Sequence, residues 1–275
     1  PDSETPPGHW NTLANAVTDT PGFERRLGGV GPELDPLEWD VKLYLALNGA
    51  VHDAAIAAWG AKGHYDYVRP ISMIRHMGGL GQSSDPDGPA YHPDGLPLEP
   101  GLVEVITEAS VAPGERHADL AEHIGEIAVF CWTGYPEDPE AEVSGVGWMR
   151  AKEWVPYQKP SFVTPSFAGY VSGHSTFSRA AAEVMAAITG SEYFPGGLGT
   201  WAIQAGSLEH ESGPGEDVEL QWATYYDAAD QAGISRLYGG IHVEADDLQG
   251  RIMGSQAGKD AWVEANRYWD GSART

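Results

Sequence analysis

Residues 171–189 read VSGHSTFSRAAAEVMAAIT, and this stretch decides the fold. Its apolar side chains recur at helical spacing, which predicts an amphipathic helix over Ser175–Thr189. The residues on one face are Phe177, Ala181, Val184 and Ile188. Ser172 and Gly173 precede this helix, where unpaired backbone N–H groups and the helix dipole favour a negative charge. The stretch therefore predicts a core helix whose N-terminus can hold an anion, although Ser-Gly-His alone is also typical of an ordinary N-cap.

The rest of the chain also favours helices, because no sustained alternation of apolar and polar residues indicates a strand. Helices are predicted near Trp10–Val17 and over Pro36–Trp59, Ile71–Met77, Gly101–Ser110, Gly114–Trp132, Val146–Trp154, Leu220–Gly233 and Val243–Tyr268. Residues 78–100 and 190–219 are rich in turn formers and are predicted as long loops. We therefore expect an all-α fold, a helical bundle with long loops. Residues 1–35 would form an N-terminal arm, and residues 36–275 a single catalytic domain.

The last predicted helix carries Gly250, Gly254 and Gly258 at every fourth position. Glycine in a helix interior costs about 1 kcal/mol relative to alanine. Three glycines on one face therefore indicate a close approach by another helix.

The composition of the chain sets limits on its partners. Its 275 residues carry 16 Lys and Arg against 40 Asp and Glu, a net charge of -24. Such a surface disfavours nucleic acid and anionic membranes, and no apolar run is long enough to span a bilayer. We expect a secreted or periplasmic protein. The start at Pro1 shows no signal peptide and suggests processing or a missing N-terminal segment, and a homo-oligomer is an open alternative.

The single cysteine, Cys131, lies in an apolar stretch and is expected in the core rather than as a nucleophile.

Cationic and histidine side chains collect in three separated segments. The first runs from Lys62 to Arg69-Pro70, the second is Ser172-Gly173-His174, and the third runs from Ser235-Arg236 to His242. Arginine offers a planar fork that matches the oxygens of an oxyanion, and lysine supplies a compact charge. Each segment alone is weak evidence for an anion site, since each also has an ordinary structural explanation. Together they predict a pocket for a tetrahedral oxyanion.

The pattern Lys-x6-Arg-Pro, Ser-Gly-His and Ser-Arg-x5-His resembles the signature shared by vanadium-dependent haloperoxidases, type 2 phosphatidic acid phosphatases and bacterial acid phosphatases. The three spacings fit without gaps, and the resemblance spans about residues 36–265. One departure is Val171, which stands where the family usually has proline before Ser-Gly-His. The change bears on the rigidity of the loop rather than on the residues that touch the anion.

The resemblance implies a role for each residue of the pattern. The equatorial oxygens of vanadate would be bound by Lys62, Arg69, Ser172, Gly173 and Arg236. His242 would bond the vanadium, and His174 would hydrogen-bond the apical oxygen and act as acid and base. Phosphate may take the place of vanadate in the cofactor-free protein.

Asp246, four residues after His242, could orient a site histidine or arginine. A solvated acid at a helix N-terminus, together with Asp247, is an equal alternative.

Two chemistries use such a pocket. A haloperoxidase would oxidise halide with hydrogen peroxide to hypohalite and could then halogenate a small organic substrate. A soluble acid phosphatase would use His242 as nucleophile and His174 as acid. A non-catalytic oxyanion-binding relic is the third possibility. The resemblance favours the haloperoxidase, because Trp59 and Phe167 match aromatic positions that flank the halide path in chloroperoxidases, although core packing would also account for them.

Two weaker candidates remain. His117 and His123 lie six residues apart, which is not the zinc-binding spacing of a helix, so we expect them on a solvated face. The acidic loop 209–217 could bind Ca²⁺, but it lacks the EF-hand pattern.

Overall fold

The structure is a computed structural model, and it describes residues 4–136, 138, 142, 144–159, 164–208 and 213–273. The described helices are α1 (Pro6–Thr18), α2 (Pro36–Tyr65), α3 (Pro70–Leu80), α4 (Gly173–Thr189), α5 (Tyr225–Tyr238) and α6 (Glu244–Trp269). The described strands are β1 (Val103–Val105), β2 (Ile127–Trp132), β3 (Val146–Arg150), β4 (Gly199–Ile203) and β5 (Val218–Trp222). The predicted helical bundle with long loops is confirmed, and two small antiparallel sheets are added to it.

The chain divides into two compact units. The first comprises Pro1–Tyr67, Phe167–Leu237 and His242–Thr275, and the second comprises Val68–Ser166 and Tyr238–Ile241. Of the α-helices in the described ranges, all but α3 lie in the first unit apart from the last residue of α5, together with the β4–β5 hairpin. The second unit holds α3 and the three-stranded sheet β1-β2-β3.

The core of the first unit lies among α2, α4 and α6. Helix α1 joins this core through Trp10, Leu13, Ala14 and Val17. The helix predicted near Trp10–Val17 is therefore confirmed, and part of the segment predicted as an arm is core. The side chain of Thr5 caps the N-terminus of α1 by accepting a hydrogen bond from the Gly8 N–H group.

The three glycines of α6 lie against α4, which confirms the predicted close approach. A Cβ atom at Gly254 would stand 2.1 Å from the carbonyl oxygen of Thr176. At Gly258 it would stand 2.5 Å from the Ala180 carbonyl oxygen, and at Gly250 2.9 Å from that of Ser172. The backbones of α4 and α6 therefore meet without intervening side chains, from the first turn of α4 onward.

In the second unit, three predicted helices are wrong. Residues 101–110 contain β1, residues 114–132 contain a short 3-10 helix and β2, and residues 146–154 contain β3 and a 3-10 turn. A short apolar run such as Ile127–Trp132 cannot be assigned to helix or strand by periodicity alone. Gly125 has a φ of +92°, which interrupts any helix across 114–132. Pairing of β2 with both neighbours then fixes the run as the central strand.

The histidine prediction in this unit is wrong for His117, which is only 1% exposed. Its Nδ1 lies 2.9 Å from Ser110 Oγ, and its ring meets Trp148 edge to face. Burial lowers the pKa of His117, against the opposing charge of Glu104. Cys131 is partly buried against the core of this unit, and burial raises the pKa of its thiol to about 11, which keeps it protonated near neutral pH.

The predicted helix over Leu220–Gly233 starts too early. Residues 218–222 form β5, which pairs with β4 so that Leu220 faces Trp201 across the hairpin. Helix α5 begins only at Tyr225. Residues 209–212 of the acidic loop lie outside the described residues, so its proposed cation binding stays a prediction. Over the described part of the chain, no helix is long and apolar enough to cross a membrane.

The α4–α6 contact makes a testable prediction. We expect Gly254→Ala to lower the free energy of unfolding by about 1–3 kcal/mol, because the added methyl group collides with backbone. The gain of about 1 kcal/mol in helix propensity opposes this loss. Gly49→Ala in α2 is the matched control, since no heavy atom lies within 4 Å of its added Cβ. Urea denaturation followed by tryptophan fluorescence would measure both, and equal stability of the two variants would contradict the prediction.

Candidate active site

Ser172 is the N-cap residue of α4 and is fully buried. Its hydroxyl accepts a hydrogen bond from the Ser175 N–H group, and its own N–H donates to the Asp246 carbonyl oxygen at 2.9 Å. Gly173 follows as the first residue of the helix, where a Cβ would stand 3.0 Å from a Trp59 ring carbon. This close packing accounts for a glycine there. The helix N-terminus is therefore held between the start of α6 and the end of α2.

Lys62, in the last turn of α2, is only 3% exposed. Its Nζ donates to the carbonyl oxygens of Ala168 and Gly169, at 2.9 and 2.8 Å. A buried ammonium group is stable only when such partners replace its lost water. These bonds attach the end of α2 to the segment that leads into Ser172.

Trp59 and Phe167 come together beside this lysine. Their ring centroids lie 5.3 Å apart, and the Lys62 Nζ lies 5.7 and 5.4 Å from the two rings. Both side chains are nearly half exposed, which does not fit simple core packing. The pair therefore forms an aromatic edge next to a buried cation.

His242 and Asp246 form a buried pair at the start of α6. His242 Nδ1 lies 2.8 Å from Asp246 Oδ2, and the Val243 N–H donates to the same oxygen at 3.3 Å. A carboxylate only accepts hydrogen bonds, so the neutral imidazole carries its proton on Nδ1. In that tautomer Nε2 carries no proton, and an unprotonated imidazole nitrogen is the kind of atom that can bond a metal or attack an electrophile.

The alternative of a solvated acidic helix start is wrong, because Asp246 and Asp247 are only 1% and 3% exposed. Asp247 accepts from Ser175 Oγ at 2.6 Å and pairs with Arg251 at 2.7 Å. The Ser175–Asp247 hydrogen bond joins α6 to the first turn of α4, and sequence reasoning missed both contacts of Asp247. The four-residue spacing of Asp247 and Arg251 was the available signal.

His174 and Arg236 line one cavity of about 480 Å³ in the first unit. His174 lies in the first turn of α4, and Arg236 in the last turn of α5. Trp10, Leu13, Leu220 and Trp222 also line the cavity, and sequence reasoning did not connect any of them with the site. Trp10 and Leu13 were placed in the arm, where nothing in the sequence indicates which helix they pack against.

Arg69 belongs to the second unit, where it precedes the first residue of α3. It is 6% exposed, and its Nη1 donates to the Ile241 carbonyl oxygen at 2.9 Å. Ile241 is the residue before His242 in the chain.

The donor set of the first unit suits an oxyanion. Lys62, Arg236 and the N-terminus of α4 offer cations and N–H groups, and the His242 imidazole offers one nitrogen for a metal centre. Among the described residues, no cluster of three or more His, Cys, Asp or Glu side chains could hold a metal ion. The resemblance assigns only His242 to the metal and the other site residues to the oxygens of vanadate, so such a cluster would not be required. The residues present therefore fit vanadate.

A known sequence family matches this chain, and solved structures of other proteins share its fold. The family model described as the VCPO second helical-bundle domain matches residues 42–93 and 120–271. All of the candidate site residues lie within these two ranges. No curated protein matches the chain.

Three solved bacterial structures share the fold. An apo-type vanadium-dependent chloroperoxidase is 21% identical with a TM-score of 0.64, and the match covers 97% of this chain and 43% of that one. A holo-type vanadium-dependent chloroperoxidase is 20% identical with a TM-score of 0.60, over 96% and 41% of the two chains. A vanadium-dependent iodoperoxidase is 19% identical with a TM-score of 0.50, over 96% and 40%. This chain thus spans less than half the length of each.

The His242–Asp246 pair makes a prediction about anion binding. Asp246→Asn removes the charge that orients the imidazole, and we expect the affinity for orthovanadate to fall about 10–100-fold. Glu244→Gln is the matched control, because it makes the same charge change in the same helical turn at an exposed position. Isothermal titration calorimetry would measure both affinities, with circular dichroism to verify the fold. An unchanged affinity in Asp246→Asn would show that the pair has no part in binding.

Proposed function

Because the chain belongs to the family of the VCPO second helical-bundle domain, we propose that it is a vanadate-dependent haloperoxidase. The reaction combines halide, hydrogen peroxide and a proton to give hypohalous acid and water. Two electrons pass from the halide to the peroxide, so the balance needs no other reactant. The family match over all the candidate site residues is the observation that carries this proposal.

The orientation of His242 supports it. A ring fixed through Nδ1 by a buried carboxylate presents Nε2 in one direction, as metal-binding histidines do. We assign Nε2 to the vanadium. Vanadate, when bound, supplies a Lewis acid that activates hydrogen peroxide without changing its own oxidation state.

The oxygens of the anion would be bound by cationic side chains and by the N-terminus of α4. Lys62 and Arg236 would neutralise negative charge, and Ser172 and Gly173 would donate hydrogen bonds from the N-terminus of α4. The sequence pattern assigns Arg69 to the same anion. A cationic site in a chain of net charge -24 depends on burial and on screening, which limits the field of surface carboxylates to about 8 Å at physiological salt.

His174 is the acid and base of the reaction. It lines the cavity that Arg236 also lines, where reactants of molecular size can reach it. The imidazole would donate the proton that leaves with water and recover one from the next molecule of peroxide. The exposed edges of Trp59 and Phe167 beside Lys62 would form the halide path. Their match to aromatic positions of chloroperoxidases supports chloride as a substrate.

The first prediction concerns activity. In phosphate-free buffer with hydrogen peroxide, the chain should chlorinate or brominate monochlorodimedone only after orthovanadate is added. Phosphate should inhibit competitively, because it fits the same oxyanion site.

A different outcome would contradict the proposal. Turnover of para-nitrophenyl phosphate without vanadate-dependent oxidation would indicate an acid phosphatase that uses His242 as nucleophile. Orthovanadate binding with neither activity would indicate a protein that only binds an oxyanion.

The second prediction separates the two site histidines. His242→Ala should lose at least the roughly 10–100-fold in vanadate affinity that loss of a supporting partner costs. His174→Ala should bind vanadate within a few-fold but lose about 10²–10⁴-fold in kcat. His52→Ala is the control, because that side chain is 73% exposed on α2. If His242→Ala kept full vanadate-dependent activity, the ligand assignment would be wrong.

A further inference from the structure

Arg236 lies in the half of α5 that has little apolar packing. The structure describes the whole of this helix, and its side chains in the buried core are those of Tyr225, Ala228 and Ala229, at its start. Beyond Ala229, the one residue of α5 that is buried is Gly233, which has no side chain to pack. Apolar burial therefore holds the beginning of α5, and other contacts must hold the end that carries Arg236.

Arg251 of α6 reaches α5 through Asp230. Arg251 Nη1 lies 2.9 Å from Asp230 Oδ2, and Arg251 Nη2 donates to the Asp230 carbonyl oxygen at 3.3 Å. The other carboxylate oxygen of Asp230 accepts a hydrogen bond from Arg179 of α4 at 3.1 Å. One residue of α5, directly after the last apolar contact of this helix with the core, is thus held by arginines of two other helices.

A buried carboxylate fixes Arg251 in turn. Arg251 Nε and Nη2 donate to the two oxygens of Asp247, at 3.0 and 2.7 Å. A planar two-point contact of this kind sets the orientation of a guanidinium group as well as its position. The Asp247 side chain is only 4% exposed, so salt and water screen the pair little. Arg251 therefore presents its remaining N–H groups to Asp230 in one orientation.

Gly233 brings the backbone of α5 against this ion pair. A Cβ at residue 233 would stand 2.4 Å from Asp247 Oδ1 and 3.4 Å from Arg251 Nη2. A side chain there would push α5 away, which accounts for a glycine in the interior of a helix despite its poor helix propensity. Arg236 follows about one helical turn later and lines the cavity that His174 also lines. The seat of α5 on the Asp247–Arg251 pair therefore sets the point from which the Arg236 side chain reaches out.

We propose that Arg251 is a positioning residue for Arg236, acting through α5; the proposal rests on the oxyanion site of the proposed function. Arg251 bonds Asp247 and Asp230 rather than the anion. It holds the end of α5 where the fork of Arg236 meets the oxygens of vanadate. Because a guanidinium fork binds an oxyanion only in a matched geometry, a small displacement of α5 weakens binding.

Arg251→Lys tests the proposal, because lysine keeps the charge but loses the two-point contact. We expect orthovanadate to bind about tenfold more weakly, the lower end of the loss of about 10–100-fold typical of residues that orient a metal site. Arg267→Lys is the matched control, since it makes the same exchange in the same helix at a more exposed pair with Glu264. Isothermal titration calorimetry of the vanadate-free protein measures both affinities, and urea denaturation verifies that each variant is folded.

A double-mutant cycle separates positioning from a general effect on stability. In an Arg236→Ala background, Arg251→Lys should change the orthovanadate affinity by less than about twofold, because the group that it positions is gone. Lys62, His242 and the N-terminus of α4 remain in this background, so the weaker binding can still be titrated. An equal loss in both backgrounds, or no loss in Arg251→Lys itself, would overturn the proposal.

Gly233→Ala is a second variant, and it removes no polar group. Its methyl group would displace α5 from the Asp247–Arg251 pair, so we expect a comparable loss of orthovanadate affinity that again vanishes without Arg236. Wild-type affinity in Gly233→Ala would show that the seat of α5 does not matter and would also overturn the proposal. A wild-type chain that binds orthovanadate but oxidises no halide would contradict the haloperoxidase alone, whereas one that does not bind orthovanadate would overturn both.

Discussion

The direct contact of α6 with α4 is the constraint on which the first unit depends. Gly250, Gly254 and Gly258 let the α6 backbone rest on carbonyl oxygens of α4, with Cβ positions that would stand 2.9 Å or less from those oxygens. Packing of this kind is intolerant of added volume, because backbone cannot move aside as a side chain can. The contact begins at Ser172, the residue that starts α4, so it sets the position of the helix N-terminus as well as the spacing of the helices. The candidate site lies at the Ser172 end of this contact.

Hydrogen bonds extend the same contact into the active site. The Ser172 N–H group donates to the Asp246 carbonyl oxygen, and the Asp246 carboxylate holds His242. Asp247 connects in parallel to Ser175 and Arg251. One short stretch around the start of α6 therefore supports both the N-terminus of α4 and the His242 imidazole. Since all of these polar groups except Arg251 are buried, loss of one partner would leave the other without its hydrogen bond, which is costly in a low-dielectric interior. The site is rigid because its supporting bonds are also bonds of the core.

The sequence predicted the helical elements well where periodicity was long and failed where it was short. Helices α2, α4 and α6 have many turns, and their predicted ranges overlap the observed ones closely. Residues 101–154 hold short apolar runs such as Ile127–Trp132, whose length suits a strand but whose pattern also suits a helix. Only the pairing of β2 with β1 and β3 decides between the two. The burial of His117 is equally invisible in the sequence, because it depends on the Trp148 ring and the Ser110 hydroxyl on other segments.

The sequence by itself determined the chemistry of the candidate site, because the residue types and spacings of three segments specify cations, a helix N-terminus and two histidines. It also determined that one face of α6 admits a close helix approach, since glycine at every fourth position is a local property of one helix, but only the tertiary structure identified α4 as the partner. Only the tertiary structure decided that Asp246 is buried against His242 rather than solvated, and that Trp59 and Phe167 meet beside Lys62. It alone placed Trp10 and Trp222 around a cavity next to His174. The reason is that burial and proximity depend on what other segments of the chain contribute, and spacing along one segment does not contain that information.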